Sequence, residues 1–390
     1  MSALLSRPRL LGALELALDR YPVTLLLGPR QCGKTTAARE VWKRRGGVIF
    51  DLEDPETPLK PGIAKLVLGG LEGLVVIDEV QRQPELLPLL RVLADRRPLP
   101  ATFLLLGSAA LDLVRGVSES LAGRVAYIDM AGFDIQEVGA DAQETLWIRG
   151  GFPDSFLAAG EQQSFEWRSH FLRSLLERDI PQLGIRVPAL TLRRFWTMVA
   201  HFHGGIWNAA DFARALGAKE DTARRYLDIL SGVFLVRQLP PWFENIGKRL
   251  VRSPKVYVRD SGILHALLGL KQMLEVQAHQ KLGLSWEGFA LEQVVGLARA
   301  ERDAYFYATH GGAELDLLLV RGGKRFGFEF KYEDAPRPRK SMHVVLKDLG
   351  LERLCVIYPG ETRYPLAERI DVVPFRELPN LLARHALLES

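Results

Sequence analysis

Hydrophobic residues in the first third of the chain come in short continuous runs, each closed by glycine or aspartate. Val23 to Leu27, Val48 to Phe50, Leu74 to Ile77 and Thr102 to Leu106 are too short for buried helices and read as buried strands. Between them the spacing turns helical, over Leu10 to Leu18, from about Lys34 to Arg44, and over Pro84 to Ala94. Strands alternating with helices predict a parallel sheet with helices on both faces. Farther on, residues 161–180 form an amphipathic stretch rich in Phe, Trp and Leu, broken at Pro181 and Pro188. Helical patterns return at 190–203, 207–217, 221–230 and 285–302. Two alternating stretches, 314–320 and 325–331, flank Gly322-Gly323 as a hairpin, and a helix at 340–350 with a strand at 354–358 completes a second α/β region.

The first run leads into the most informative stretch. Gly28, Pro29, Arg30, Gln31, Cys32, Gly33, Lys34 and Thr35, with Thr36 following, carry the spacing of a phosphate-binding loop. The glycines let the backbone curl so that its N–H groups face an anion, and a helix starting near Lys34 adds its positive end. Lys34 is expected to reach the β- and γ-phosphates of ATP, and Thr35 to ligate Mg²⁺. Asp78 and Glu79 close the third run as a Walker B pair. Asp78 would hold the same Mg²⁺ through water, and Glu79 would activate the attacking water. A second acid at that place favours hydrolysis over phosphoryl transfer to a small substrate. Ser108, after the fourth run, is either a γ-phosphate sensor or a turn residue. These residues all fall at carboxyl ends of strands, where such sheets bind ligands.

Gly28 to Thr35, Phe50-Asp51-Leu52-Glu53-Asp54, Ile77-Asp78-Glu79-Val80-Gln81, Gly107-Ser108 and Ser120-Leu121-Ala122-Gly123-Arg124 occur here in one order. That series resembles the bacterial and archaeal AAA+-type ATPases that carry a C-terminal domain of unknown function, DUF4143. Gly150-Gly151-Phe152-Pro153 extends the resemblance, which covers nearly the whole chain. It implies an AAA+ module with Arg124 as an arginine finger or sensor, acting in cis or in trans. The competing reading is a structural arginine paired with a local carboxylate. Ala109 departs from the family's Gly-Ser-Ser type motif and leaves Ser108 as its one sensor hydroxyl.

In the middle region, Trp207 to Gly217 and Asp221 to Leu230 are two short helices joined by a turn holding Gly217 and Lys219, a helix-turn-helix pattern. Val233 to Leu239 and Leu250 to Val258 supply a wing. Helical periodicity turns Ala223, Tyr226, Leu227 and Leu230 inward and leaves Lys219, Thr222, Arg224 and Arg225 for nucleic acid. Residues 165–255 hold 15 Lys/Arg against 8 Asp/Glu, while the whole chain carries only +4, so basic charge is concentrated there. DNA is the natural partner of such a region. A winged helix used for protein contacts is the alternative.

In the last region Glu287 lies on a helix and Asp316, Glu329 and Lys331 on the hairpin. A two-residue Gly322-Gly323 turn would set Asp316 opposite Glu329, and Glu314 opposite Lys331. Opposed carboxylates repel unless a cation sits between them. Glu287, Asp316 and Glu329 are therefore the expected ligands of a second Mg²⁺, with Lys331 beside them to orient water or stabilise charge. The Asp…Glu-x-Lys series resembles the PD-(D/E)xK nuclease superfamily, to which the C-terminal domain of the named family is related. Such folds also persist as inert binding modules.

Composition adds little beyond exclusions. An apolar fraction of 47% with 25% charged residues is that of an ordinary globular chain, and 390 residues allow two or three domains. Cys32 and Cys355 cannot frame a disulfide scaffold, which points to a reducing cytoplasm. No apolar run approaches the roughly 18 residues of a membrane span, and the N-terminus lacks a signal-peptide pattern. The expected fold is α/β: a P-loop AAA+ parallel-sheet domain at 1–140, a helical and winged-helix domain at 141–275, and a small nuclease-like α/β domain at 276–390. The expected function is an ATP-hydrolysing switch or motor acting on DNA, using ATP and Mg²⁺. A nucleotide-gated DNA- or protein-binding regulator and an ATP-gated Mg²⁺ nuclease are the alternatives. Whether copies assemble into a homo-oligomer, and which DNA structure is bound, stay open.

Overall fold

The computed structural model describes residues 5–60, 62–108, 116–117, 119–243, 251–309 and 311–388. Ala109 and Leu250, named above, lie outside them. The chain divides into two compact units, Met1–Gly132 with Gly232–Phe234, and Phe133–Ser231 with Leu235–Glu389. No helix among the described residues is long and apolar enough to cross a membrane.

The first unit is built on five parallel strands: β1 Val23–Leu27, β2 Val48–Asp51, β3 Gly73–Asp78, β4 Ala101–Gly107 and β5 Val125–Asp129. Their order is β2-β3-β4-β1-β5. β1 is buried at every position, and β3 and β4 nearly so, which explains the uninterrupted apolar runs. The Pro8–Arg20, Lys34–Arg45 and Leu86–Ala94 helices supply the covering layers, burying Leu11, Leu14, Val41 and Leu90. Because β4 lies between β1 and β3, the ends of three neighbouring strands bring together Gly28, Ser108 and Asp78.

The second unit contains both the middle and the C-terminal regions. Its six-stranded mixed sheet runs β13-β14-β12-β11-β10-β9, from β9 Ala304–Ala308, β10 Glu314–Arg321, β11 Lys324–Phe330, β12 Arg353–Tyr358, β13 Tyr364–Ala367 and β14 Ile370–Pro374. The wing is a three-stranded sheet in the order β6-β8-β7, from β6 Gly205–Ile206, β7 Val236–Leu239 and β8 Lys255–Val258. The Ala209–Leu216 and Glu220–Gly232 helices lie between β6 and β7 in the chain, and Asn208 caps the first by accepting from the Ala210 N–H. The long helix expected at 161–180 is α-helical over Glu161–Ser174, then widens to a π-turn over Leu175–Asp179 before Pro181.

Two features fasten the wing to the C-terminal region. After β7 the chain runs beside β9: the Trp242 N–H donates to Phe306 O (2.7 Å) and the Phe306 N–H to Pro240 O (3.0 Å). Arg237 and Arg259 then meet Glu292 and Glu301 in a four-membered ion network. Arg237 holds both Glu292 oxygens (2.5 and 2.9 Å) and Glu301 (2.7 Å), while Arg259 reaches the same two acids at 3.1 and 3.0 Å. Burial works against the Arg237 charge, but Glu292 and Glu301 outweigh it and raise its pKa. In the same network Glu301, although burial opposes its ionisation, is pulled down to about 2, chiefly by Arg237 and Arg259.

Arg237→Met removes one side of this buried network and is expected to cost about 3–5 kcal/mol in urea unfolding, the range for stripping a buried charge of its partner. Glu301 contributes stability above its ordinary carboxylate range, and that contribution is lost as pH falls through 4.5 toward about 2. The stability gap between wild type and Glu301→Gln should therefore narrow on acidification across that window.

Candidate functional site

Gly28 and Gly33 shape the phosphate-binding loop in different ways. A Cβ on Gly28 would stand 2.1 Å from Met130 O, and Gly33 holds φ at +100° just before the Lys34–Arg45 helix. The buried Lys34 ammonium donates to the carbonyls of Gly28 (2.9 Å) and Pro29 (2.8 Å), so it lies on the loop itself. Thr35 Oγ1 donates to Asp78 Oδ2 at 2.7 Å. Burial raises the Asp78 pKa, with the Glu79 charge adding to it and the Thr35 bond working the other way. A hydroxyl and a carboxylate oxygen this close, beside an anion-binding loop, are hard oxygen donors of the kind Mg²⁺ takes.

Glu79 sits in the left-handed backbone region at φ +54°, a strained conformation for a non-glycine residue. Its carboxylate accepts from Ser108 Oγ (3.2 Å) and from Gln81, and Arg30 stands 3.9 Å away. Arg30 in turn pairs with Glu53 at 2.5 Å, and Arg82 pairs with the same acid at 2.6 Å. The phosphate loop, the β3 acids and the β4 serine thus form one connected set.

Arg124 is not brought to that set. It immediately precedes β5, and its backbone carbonyl accepts from Val23 N at the start of β1, so it lies at the amino ends of the strands. Its guanidinium takes Asp95 with two bonds, 2.6 and 3.0 Å, as the local-carboxylate reading expects. From there a finger role toward a nucleotide requires a second copy of the chain.

In the helix-turn-helix, Ala223, Leu227 and Leu230 are buried, and Tyr226 packs edge-on against Phe195 at 5.6 Å. Lys219, Arg224 and Arg225 are exposed and Thr222 is half-buried. Arg224 is tied to Glu220 at 3.1 Å along its own helix. The count of basic residues overstates the charge at the surface. Arg168, Arg237 and Lys255 are all buried. Arg168 donates to the carbonyls of Ile148 and Gly262, both at 2.9 Å, and burial brings its pKa down to about 10. Arg173, Arg178 and Arg214 pair with Glu177, Asp179 and Asp211.

The hairpin has the expected turn: Gly322 and Gly323 both have positive φ, and Arg321↔Lys324 through Leu317↔Phe328 are paired. The ladder stops there. Asp316 Oδ2 accepts instead from the Phe330 N–H at 3.0 Å, and β10 shifts register against β9 between Leu315 and Leu318. Lys331 folds between the two acids, 2.8 Å from Glu329 and 3.3 Å from Asp316. Glu314, expected opposite Lys331, pairs with Lys255 of β8 at 2.6 Å instead. The same ammonium stands 3.5 Å from Glu287 and 3.9 Å from Asp316, while the Tyr257 hydroxyl donates to Glu287 at 2.6 Å. Burial, then the charge of Asp316, pushes both Glu287 and Glu329 up to about 7. Among the described residues no group of three or more His, Cys, Asp or Glu side chains is arranged to hold a metal ion. The three expected ligands of a second Mg²⁺ are neighbours, with Lys331 beside Asp316 and Glu329 and the further cation Lys255 between Glu287 and Asp316.

Lys255, Tyr257 and Arg82 carry no role in the sequence reading, and Glu53 enters it only within the Phe50 to Asp54 segment of the resemblance. The strand Lys255-Val256-Tyr257-Val258 did carry a signal, because a charge and a hydroxyl alternate with valines on one face of a buried strand. Arg82 has none, since its meeting with Glu53 depends on the sheet.

Residues 20–139 match the family model of an AAA domain, residues 140–274 a domain of unknown function (DUF8612), and residues 282–378 another (DUF4143). The chain is 49% identical over 371 residues to the uncharacterized proteins Mb2031c of Mycobacterium bovis and Rv2008c of Mycobacterium tuberculosis, covering 95% of this chain and 84% of each. Among solved structures, the Walker-type ATPase PABY2304 of Pyrococcus abyssi aligns at 17% identity and a TM-score of 0.49, over 68% of this chain and 96% of that one. The Bacillus subtilis DNA clamp loader delta protein aligns at 12% identity and a TM-score of 0.27, over 57% and 87%.

Because Arg124 is held by Asp95 at the far end of the strands, Arg124→Ala should leave the affinity for a fluorescent ATP analogue unchanged. Weakened binding would overturn the placement. Unchanged binding with lowered turnover would assign Arg124 to the nucleotide of a neighbouring copy.

Proposed function

Since the chain belongs to the family of AAA-type P-loop ATPases with a C-terminal DUF4143 domain, we propose that it hydrolyses ATP and couples the nucleotide state to DNA binding through its helix-turn-helix. The observation that supports hydrolysis most is the convergence of Thr35, Asp78, Glu79 and Ser108 on one end of the sheet. Lys34 and the loop N–H groups would bind the phosphates, and Thr35 with Asp78 would hold Mg²⁺, whose charge offsets that of the triphosphate. Glu79 orients the attacking water and accepts its proton. Ser108, on the same carboxylate, keeps Glu79 aimed and lies where a γ-phosphate contact would form. Arg30 and Arg82, held by Glu53, are further cations within the same network.

DNA binding is supported by the two-helix geometry and by exposed Lys219, Arg224 and Arg225 on the second helix and its turn. The fastening of the wing to the C-terminal sheet favours that helix over the wing as the contact. For the C-terminal region, Lys331 stands where either reading has it, and the further cation Lys255, buried among Glu287, Glu314 and Asp316, favours a binding module over an ATP-gated Mg²⁺ nuclease.

Lys34→Ala should abolish nucleotide binding, whereas Glu79→Gln should bind ATP and fail to turn it over, because Glu79 acts chiefly in the transition state. Wild-type turnover in Glu79→Gln would remove its catalytic role. ATPase assays with and without single-stranded, duplex and branched DNA test the coupling, and turnover indifferent to all three would sink it.

DNA affinity should fall with salt at a slope of about −0.9 per phosphate contact. Replacing Arg224 and Arg225 together should flatten that slope by about two contacts' worth. An unchanged slope would assign the helix to protein contacts.

A further inference from the structure

The acids expected to bind a divalent ion in the C-terminal region already surround a cation that the chain itself supplies. Lys255 is fixed at its backbone on both sides, paired with Leu239 on β7 and Ile206 on β6, so the strand register sets where its side chain goes. Only 5% of that side chain is exposed. Its ammonium lies within 3.9 Å of oxygens from three carboxylates: Glu314 at 2.6 Å, Glu287 at 3.5 Å and Asp316 at 3.9 Å. The Phe306 ring covers it at 5.7 Å. Tyr257, two residues along the same face, fills a Glu287 oxygen, and Lys331 with the Phe330 N–H fills Asp316 from the other side. Oxygens that could turn toward a metal are thus turned toward nitrogen and hydroxyl donors.

We propose that Lys255 takes the place of the divalent cation in this cluster, so that Glu287, Glu314 and Asp316 clamp the wing to the six-stranded sheet without metal. An ammonium brings one charge and three donors, and here it stands at hydrogen-bond distance from Glu314 and at longer ion-pair distances from Glu287 and Asp316. Magnesium would need the same oxygens at about 2.0–2.1 Å and near-octahedral order, which the ammonium's position blocks. The clamp also explains why a strand of the middle region carries a buried lysine and tyrosine. Both serve acids of the C-terminal region, Glu287 on its Leu282–Ala298 helix and Glu314 and Asp316 on β10. This deepens the reading of the C-terminal region as a binding module, and its test uses neither ATP nor DNA, so it stands or falls separately from the ATPase.

The experiment titrates the nucleotide-free full chain with Mn²⁺, followed by electron paramagnetic resonance and by melting temperature. Wild type and Asp316→Asn should respond alike to Mn²⁺, with neither a bound-ion signal from this cluster nor a Mn²⁺-dependent rise in melting temperature, although Asp316→Asn starts from a lower melting temperature. Lys255→Met should gain a Mn²⁺ site at least roughly tenfold tighter than any in wild type, about 1.4 kcal/mol, and melt higher with Mn²⁺. Adding Asp316→Asn to that variant should abolish the gain. Lys255→Arg, which keeps the charge, should fold and gain nothing. If Lys255→Met folds only with Mn²⁺, metal-dependent refolding reads the same substitution of one cation for another. A wild-type Mn²⁺ site lost in Asp316→Asn would overturn the proposal while leaving a metal site in place. Failure of Lys255→Met to gain binding or metal-dependent folding would overturn it as well.

Discussion

A charge taken out of water must meet its opposite, or folding loses several kcal/mol. That constraint organises the unit formed by Phe133–Ser231 and Leu235–Glu389. Arg237 cannot be buried without Glu292 and Glu301, and those acids lie on or just after the Leu282–Ala298 helix of the C-terminal region. Lys255 cannot be buried without Glu287 and Glu314, which belong to that region too. Both cations sit on strands of the wing. The wing and the C-terminal region therefore complete each other's electrostatics, and the two regions pack as one unit although two different family models cover them.

The same constraint redirects the functional reading. Opposed carboxylates on a hairpin do call for a cation, and that argument holds for Asp316 and Glu329. Two sources can supply it, a metal or a lysine, and the choice depends on what the rest of the fold brings near. Here Lys331 reaches across its own strand and Lys255 arrives from another sheet. The basic excess of the middle region is reduced for the same reason, since part of it answers buried acids and buried carbonyls.

In the nucleotide site the organising constraint is topological. Placing β4 between β1 and β3 makes three strand ends adjacent, so the loop, the serine and the acidic pair share one edge of the sheet. Arg124 precedes a strand instead of following one, and parallel strands put everything before them at the opposite edge.

What the chain determined by itself is what depends on neighbours along it. Gly28 to Thr35 curl because of their own glycines, the apolar runs become strands because they are short and bounded, and Gly322-Gly323 sets the hairpin register through its own positive φ angles. Helical periodicity likewise separated Leu227 and Leu230 from Arg224 and Arg225. What only the tertiary structure decided is which charges meet. Glu53 is 23 residues from Arg30 and 29 from Arg82, and Arg237 is 55 from Glu292 and 64 from Glu301. Local spacing carries no record of such encounters. Electrostatic energy depends on distance in space and on burial, and both exist only once the sheets have packed.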